Sequence, residues 1–370
     1  MTRQVWQVER FSTDVTDQIE SLNYFTGRRT QFDSWSPGSL VFTIHNDNGE
    51  ANGYDLNDKI ILTATGTSFY QWFYVQEVLF NDRGGDGGGS SATIVCTDLV
   101  GRSGRLQVFE QEIPADQTIK QLSDAFDSLF PTGTGFTYIG GGDSIAAAAD
   151  TYTGTVLNRL NLNMVTEQGW LGCTDERIYL YSRSEVSNFT SGITYARSAS
   201  GAFQFGYSDI KRIALGSDYL NTCTATPPVA PAQNAQNATG VGFYDTYGAE
   251  FATVDDTGSQ ALSFAQWQVL TRSDPDELSF QISVSDTANN LTEFFDSVWA
   301  NEPVVTVSYK NPGSPTTLTS SQITQGWSMT VTPAATYLEI FTSPNYIQYL
   351  TFFTLDSGVN GVLNTSELGW

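Results

Sequence analysis

The side chains able to do chemistry are few. The chain has one histidine, His45, and three separated cysteines, Cys96, Cys173 and Cys223, in 370 residues. A Ser-His-Asp relay would have to run through His45, yet Phe42-Thr-Ile-His-Asn46 alternates like a strand and accounts for it as an ordinary strand residue. Two-histidine iron sites need more histidines than the chain has, and with one histidine and three widely separated cysteines no zinc site rich in His or Cys is expected. With an odd cysteine count and no close pair there is no disulfide framework, and each thiol is expected to be a small buried hydrophobe. Glycoside hydrolysis needs only two carboxylates about 5–9 Å apart. The 40 Asp and Glu and eight Trp satisfy that by number, but no carboxylate stands in a recognisable setting. Asn46-Asp-Asn-Gly-Glu50 has the residue types of a calcium loop, but in EF-hand spacing with Gly49 as the invariant glycine the first ligand position falls on Ile44, so a hairpin turn is expected. Gly87-Gly-Gly89 and Gly140-Gly-Gly142 lack phosphate-loop spacing and a following basic residue, and read as loops. No catalytic, cofactor-binding or metal residue is assigned, and the chain is expected not to be an enzyme.

Charge narrows the partners. Seventeen Lys and Arg against 40 Asp and Glu give a net charge of −23. Phosphate affinity comes from cations that release counterions, so tight binding of DNA or of an anionic membrane is disfavoured. The apolar fraction of 40% and aromatic fraction of 13% are those of a folded chain, long enough for two or three domains. The opening residues lack the apolar run of a signal peptide, and no stretch approaches 18 consecutive apolar residues, so no membrane insertion is expected.

The elements that would position these groups are mostly strands. Residues 39–44, 60–64, 72–80 and 92–97 read as strands of a barrel or sandwich, with Asn48-Gly49 as a turn and residues 83–91 as a flexible tip. After Pro114 the period changes. Ile119, Leu122, Phe126 and Leu129 predict an amphipathic helix over 116–130, capped by Asp116 and stopped by Pro131. A second helix is expected over 156–164, closing at Gly169, then two strands around a turn near Asp175. The run from Pro227 to Thr239, made of Pro, Ala and Asn, reads as an exposed excursion. A third helix follows over 259–272, then strands over 278–284, 304–309, 323–331, 336–341 and 347–355. No repeat of fixed period appears.

Several segments together resemble the hub, or minor tail protein, at the tip of long-tailed bacteriophages. They are Thr26-Gly-Arg-Arg29 followed by Trp35-Ser-Pro-Gly38 and the strand into Asn46-Asp-Asn-Gly49; the strand pair 72–80 and 92–97 ending in Asp98-Leu99; and Ile323-Thr-Gln-Gly-Trp327, 338–343, 353–357 and 361–369 at the end. The resemblance implies a mainly β fold of tube-like β-barrel hub domains with smaller α/β insertions. The expected division is an N-terminal β-barrel hub domain over 1–113, α/β insertions over 114–205 and a C-terminal α+β hub domain over 206–370. It also implies a structural virion protein, assembled in the host cytoplasm and placed at the tail tip. There it would join the tail tube to baseplate and receptor-binding proteins and frame the DNA exit channel. Expected partners are two further copies in a homotrimer, the tail tube or distal tail protein, the tape-measure protein, and tail fibres or receptor-binding proteins. DNA would pass without sequence-specific binding, and no cofactor is implied. The competing reading is a receptor-binding or glycan- or peptidoglycan-degrading tail-tip protein.

Charge is uneven along the chain. Residues 1–212 hold 15 Lys and Arg, while residues 213–370 hold only Arg272 and Lys310 against 15 Asp and Glu. A channel for DNA gains from such a like-charged wall, because adhesion to phosphates would retard ejection. The loops 83–91 and 227–239 are the expected contacts with neighbouring tail proteins.

Overall fold

A computed structural model describes residues 5–345 apart from 31–32, 82–88, 131–133, 141–149, 175–176, 183–184, 187–188, 190–191, 199–200, 202, 215–218, 255–256, 274–277, 288, 300–303 and 312. The chain opens with β1 (Trp6–Arg10), β2 (Thr13–Asp14), β3 (Ile19–Gly27), β4 (Ser36–His45), β5 (Lys59–Ala64), β6 (Tyr70–Asn81) and β7 (Ser91–Thr97). Alternation does what it predicts in β4: Leu40, Phe42 and Ile44 are fully buried, and the residues between them lie nearer solvent. Gly49 takes the left-handed φ of 79° that Asn48-Gly49 suggested, but the turn is not a hairpin. It leads into a 3-10 turn, and β4 pairs with β3 and β7 while β5 pairs with β1 and β6. A local turn signal fixes a reversal of the chain, not which strands meet across it.

The intervening region holds α1 (Leu99–Ser103), β8 (Gln107–Ile113), α2 (Ile119–Asp124), β9 (Gly135–Ile139), β10 (Asp150–Thr155), α3 (Val156–Glu167), β11 (Trp170–Thr174) and β12 (Arg177–Tyr181). The helix expected over 116–130 is shorter. Thr118 caps it with a reciprocal capping box to Gln121, Asp116 lies before it at a positive φ, and the chain tightens to a 3-10 turn at Asp127–Leu129. Ile119, Leu122 and Phe126 are buried as the spacing required, but Leu129 is exposed. Gln168, not Gly169, takes the left-handed cap of α3. β11 and β12 form the expected antiparallel pair, extended by β9 running parallel to β12. This region has its own core, around Ile119, Leu122, Phe126, Leu160, Ile178 and Leu180.

The chain then enters β13 (Ile193–Ala196), β14 (Gln204–Gly206) and β15 (Asp209–Ala214), followed by a small unit of β16 (Thr222–Thr226), β17 (Gln233–Gln236), α4 (Ala238–Tyr244), β18 (Gly248–Ala252) and α5 (Gly258–Arg272). The excursion expected over 227–239 is therefore only partly one. Residues 228–229 and 231–232 are exposed, but β17 lies within the run and pairs antiparallel with β16, sending Ala235 into the core beneath α5. Asn and Gln are poor strand formers, and pairing and one buried alanine override that preference. Last come β19 (Leu278–Ser285), α6 (Thr292–Trp299), β20 (Val304–Lys310), β21 (Thr317–Val331) and β22 (Thr336–Pro344). The strand expected over 347–355, like the terminal segments at 353–357 and 361–369, lies outside the described residues.

The chain contains a structural duplication that no sequence period announces. The first seven strands are hydrogen-bonded in the order β2-β1-β5-β6-β7-β4-β3, and the later seven in the order β14-β13-β20-β21-β22-β19-β15. Ranked by position in the chain, the two orders are the same. They differ in that β13 runs parallel to β14 and β20, whereas β1 is antiparallel to β2 and β5. β21 pairs with β3 and joins the halves into one 14-stranded sheet over one continuous core. The fold is mainly β with α/β insertions, as expected.

Candidate functional site

The residues singled out for chemistry are dispersed. His45 ends β4, exposed, with Nδ1 2.8 Å from Glu20 Oε1. The three thiols are free and buried, one in each of three cores, and burial pushes each of them up, Cys223 to about 11. They are the small hydrophobes expected. Among the described residues no three His, Cys, Asp or Glu side chains gather as a metal-holding group, and no helix is long and apolar enough to cross a membrane.

The structure adds a buried carboxylate, Asp98, from the Asp98-Leu99 step that carries part of the resemblance. Asp98 caps α1, its Oδ1 accepting from Gly101 N at 2.9 Å, and its Oδ2 occupies the space a side chain at Gly38 would need. It lines a cavity of about 70 Å³ with Tyr24, Trp35, Cys173, Tyr195 and Trp327. Burial pushes its pKa up to about 6, against hydrogen bonds from Gly101 and Gly38 that oppose the rise. A carboxyl raised on folding stabilises while protonated. That contribution is full below about pH 4 and is lost as pH rises through about 6. Between pH 3.5 and 6.5 the unfolding free energy of wild type relative to Asp98→Asn should therefore fall by on the order of 3 kcal/mol. Urea titrations of both proteins across that range measure it, and parallel curves would show that the carboxyl titrates normally.

The segments that carry the resemblance do converge. Gly27 and Gly326 face each other across the β3–β21 join. A Cβ on Gly326 would lie 2.5 Å from Thr26 O and 2.7 Å from Arg28 O, and one on Gly27 would lie 2.4 Å from Gln325 O. The two backbones touch there because neither residue has a side chain. Arg28 then turns back over the seam: its N donates to Gln325 O at 3.0 Å and its Nε to Gln325 Oε1 at 2.8 Å. Its guanidinium stacks 4.2 Å above Trp35, which meets Trp170 of β11 edge-on at 5.3 Å. Burial pushes Arg28 down to about 9. The Gly-Arg turn, the Trp-Ser-Pro-Gly entry and the Gln-Gly-Trp strand thus form one junction where both halves and the intervening region meet.

Of the two loops expected to touch neighbours, residues 82–88 lie outside the described residues. Beside them Asp47 accepts from the backbone N of Gly89 and Ser90 at 2.7 and 2.8 Å, and Leu79 and Phe80 of β6 are exposed on opposite faces. In the second loop Val229 is 66% exposed, and α4 beyond it presents Phe243 and Tyr244 to solvent. Of the 15 carboxylates after Arg212, six fall on described residues, with Asp245 and Glu250 exposed and Asp286 buried.

No protein-family model and no curated protein matches the chain. Solved structures do. Over 94% of its length the chain is similar to a tail protein from Neisseria meningitidis, covering 98% of that chain at 10% identity with a TM-score of 0.65. The 43 kDa tail protein of prophage MuSo2 from Shewanella oneidensis is similar over 94% of this chain and 98% of its own, at 10% identity and a TM-score of 0.61. A type VI secretion component of E. coli, described as structurally similar to the T4 bacteriophage tail proteins gp27 and gp5, matches 89% of this chain and 74% of its own, at 9% identity and a TM-score of 0.53. The resemblance read from the sequence is borne out in the architecture: this chain has the fold of these tail proteins, one of them from a prophage, and of the gp27- and gp5-like secretion component.

Proposed function

We propose that the chain is a structural protein of a phage tail, placed at its distal end as the hub that joins the tail tube to baseplate and receptor-binding proteins. The observation that carries this reading is the near end-to-end match to tail proteins, one of them from a prophage, extending through both seven-strand halves and the insertions between them. Three copies with two like halves each would present six similar modules, which suits a six-fold tube and a central channel. The tape-measure protein and the tail fibres would be further neighbours. DNA would traverse the channel without sequence-specific contact, favoured by the net charge of −23. The work is assembly rather than catalysis.

Sedimentation equilibrium on the full chain tests the reading. The expected species is three copies of the 40.5 kDa chain, retained by immobilised tail-tube protein from the same phage. A strict monomer that cleaves peptidoglycan or another glycan would overturn it in favour of the degrading tail-tip protein.

A further inference from the structure

One groove runs against the charge of the whole chain. Arg197, Arg212 and Lys310 line a groove of about 800 Å³ with Tyr207, Ile210 and Tyr309, and among the described residues no carboxylate lines it. All three cations are exposed. Three of 17 cations meeting in one concavity of a chain with net charge −23 is a local reversal of sign, and Lys310 is one of only two cations beyond Arg212. The fold builds this arrangement. β15 is an edge strand that pairs only with β19, and alternation sends Ile210 and Arg212 to the groove and Lys211 to the other face. Tyr207 Oη donates to Ser308 O of β20 at 3.2 Å, and Arg197 lies close enough to oppose the rise that burial causes in that phenol. Arg212 donates to Asn311 and lies 5.9 Å from the Tyr309 ring, which packs 5.0 Å from Phe280. Aromatic floor and cationic rim are thus held in place before any partner arrives.

The same chain carries a segment of the opposite character. In the β8–β10 ribbon the register shifts where Phe109 and Glu110 stand opposite Thr153, a bulge in which Glu110 takes a φ of 50° and its N donates to Thr153 Oγ1 at 3.1 Å. A left-handed non-glycine residue is strained, and such bulges re-aim side chains. Here the outcome is a phenylalanine 76% exposed, followed by the exposed carboxylates Glu110 and Glu112. An aromatic anchor beside two carboxylates complements a groove of tyrosines beside three cations, in the manner of an interface centre with a charged rim.

We propose that the Phe109–Glu112 ribbon of one copy docks into the Arg197, Arg212 and Lys310 groove of the next copy. The contact is head-to-tail, so it closes into a ring when the rotation between copies allows. It rests on the ring assembly proposed above and names the surfaces that make it. A second copy is favoured over DNA because the groove is a short pocket with an aromatic floor, whereas backbone binding draws on a longer row of cations.

Charge reversal tests the contact, read by sedimentation equilibrium on the full chain at 50 and 300 mM salt. Arg212→Glu with Lys310→Glu, and separately Glu110→Lys with Glu112→Lys, should each raise the dissociation constant of the ring at least tenfold. The four changes together should restore it to within a few-fold of wild type. All sites are exposed, so unchanged far-UV dichroism is expected. A second readout is a cysteine pair, Phe109→Cys with Ser198→Cys, which should give inter-copy disulfide ladders under diamide while either change alone gives none. Wild-type assembly by the reversed variants would overturn this contact and leave the ring reading standing. Loss of affinity for a 30-bp duplex on reversal, with the ring intact, would assign the groove to phosphates and overturn it likewise. A monomeric wild type would overturn the ring reading and this contact together.

Discussion

Gly326→Ala is expected to destabilise the fold by about 2–4 kcal/mol, although it adds a single methyl group. The added carbon has no free direction. It meets Thr26 O at 2.5 Å, Arg28 O at 2.7 Å and Arg28 N at 2.8 Å, all of them backbone atoms that no rotamer change can move. Relief would require β21 to part from β3 along a join that runs from Gly326–Gly27 to Val331–Leu22 and is the strand pairing between the two halves. Gly27→Ala should be at least as costly, since it combines a 2.4 Å approach to Gln325 O with a φ of 86°. Gly242→Ala supplies the control. That glycine lies in α4 with open space around its Cβ position, and alanine there should be neutral or stabilising by up to about 1 kcal/mol. Urea unfolding of the three variants checks the ordering, and equal midpoints for Gly326→Ala and Gly242→Ala would show that the seam yields without cost.

Trp327→Ala should cost about 3–5 kcal/mol and loosen the two halves from one another. Trp327 is 3% exposed and sits on β21 one residue past the glycine seam. Its ring meets Tyr24 at 4.5 Å and Phe69 at 5.9 Å from the first half, and Phe294 at 5.5 Å and Phe295 at 5.9 Å from α6 in the second. Aromatic pairs of this kind, three of them edge-on and the Tyr24 pair tilted, contribute about 0.5–1.5 kcal/mol each beyond the area they bury, so one truncation removes several couplings. Nearby Trp6 packs edge-on against Phe295 at 4.9 Å, and its Nε1 donates to Thr336 Oγ1 at 3.0 Å, tying β1 to β22. Calorimetry should show a lower melting temperature for Trp327→Ala, and a broader or split transition where the halves separate. Phe243→Ala, at a ring 79% exposed on α4, should shift stability by no more than about 0.5 kcal/mol. A Trp327 variant as stable as that one would show that the aromatic cluster does not couple the halves.

Local sequence suffices where a residue's neighbours along the chain decide the outcome. Strand alternation in β4, the apolar spacing of α3 and α5, and the burial of the three cysteines follow from side-chain period and polarity. Local sequence does not suffice where two local signals compete. Asp116 and Thr118 both qualify as helix caps, and the reciprocal bond to Gln121 decided for Thr118. Gln168 lies within reach of the end of α3 before Gly169 and takes the left-handed position despite its side chain. β17 was hidden because Gln-Asn-Ala-Gln has little strand preference of its own. The Asp98 carboxyl was hidden for a different reason: nothing adjacent in sequence reveals that Cys173 and Gly38 will enclose it.

Composition and local pattern alone specify a mainly β chain that is strongly acidic, with too few histidines and too widely spaced cysteines for His- or Cys-rich zinc sites, and similar in three separated segments to tail-tip hubs. The tertiary structure decided what those segments do. It brought Gly27, Arg28 and Trp35 against Gln325, Gly326 and Trp327, about 300 positions later, and it arranged two dissimilar stretches of chain into the same seven-strand order. It also gathered Arg197, Arg212 and Lys310 into one groove. Strands pair through backbone hydrogen bonds that almost any residue can make, and the side chains need only supply a matching apolar pattern, so a duplicated topology survives without a duplicated sequence. Convergence of distant residues depends on which strands become neighbours, and no sequence period records that.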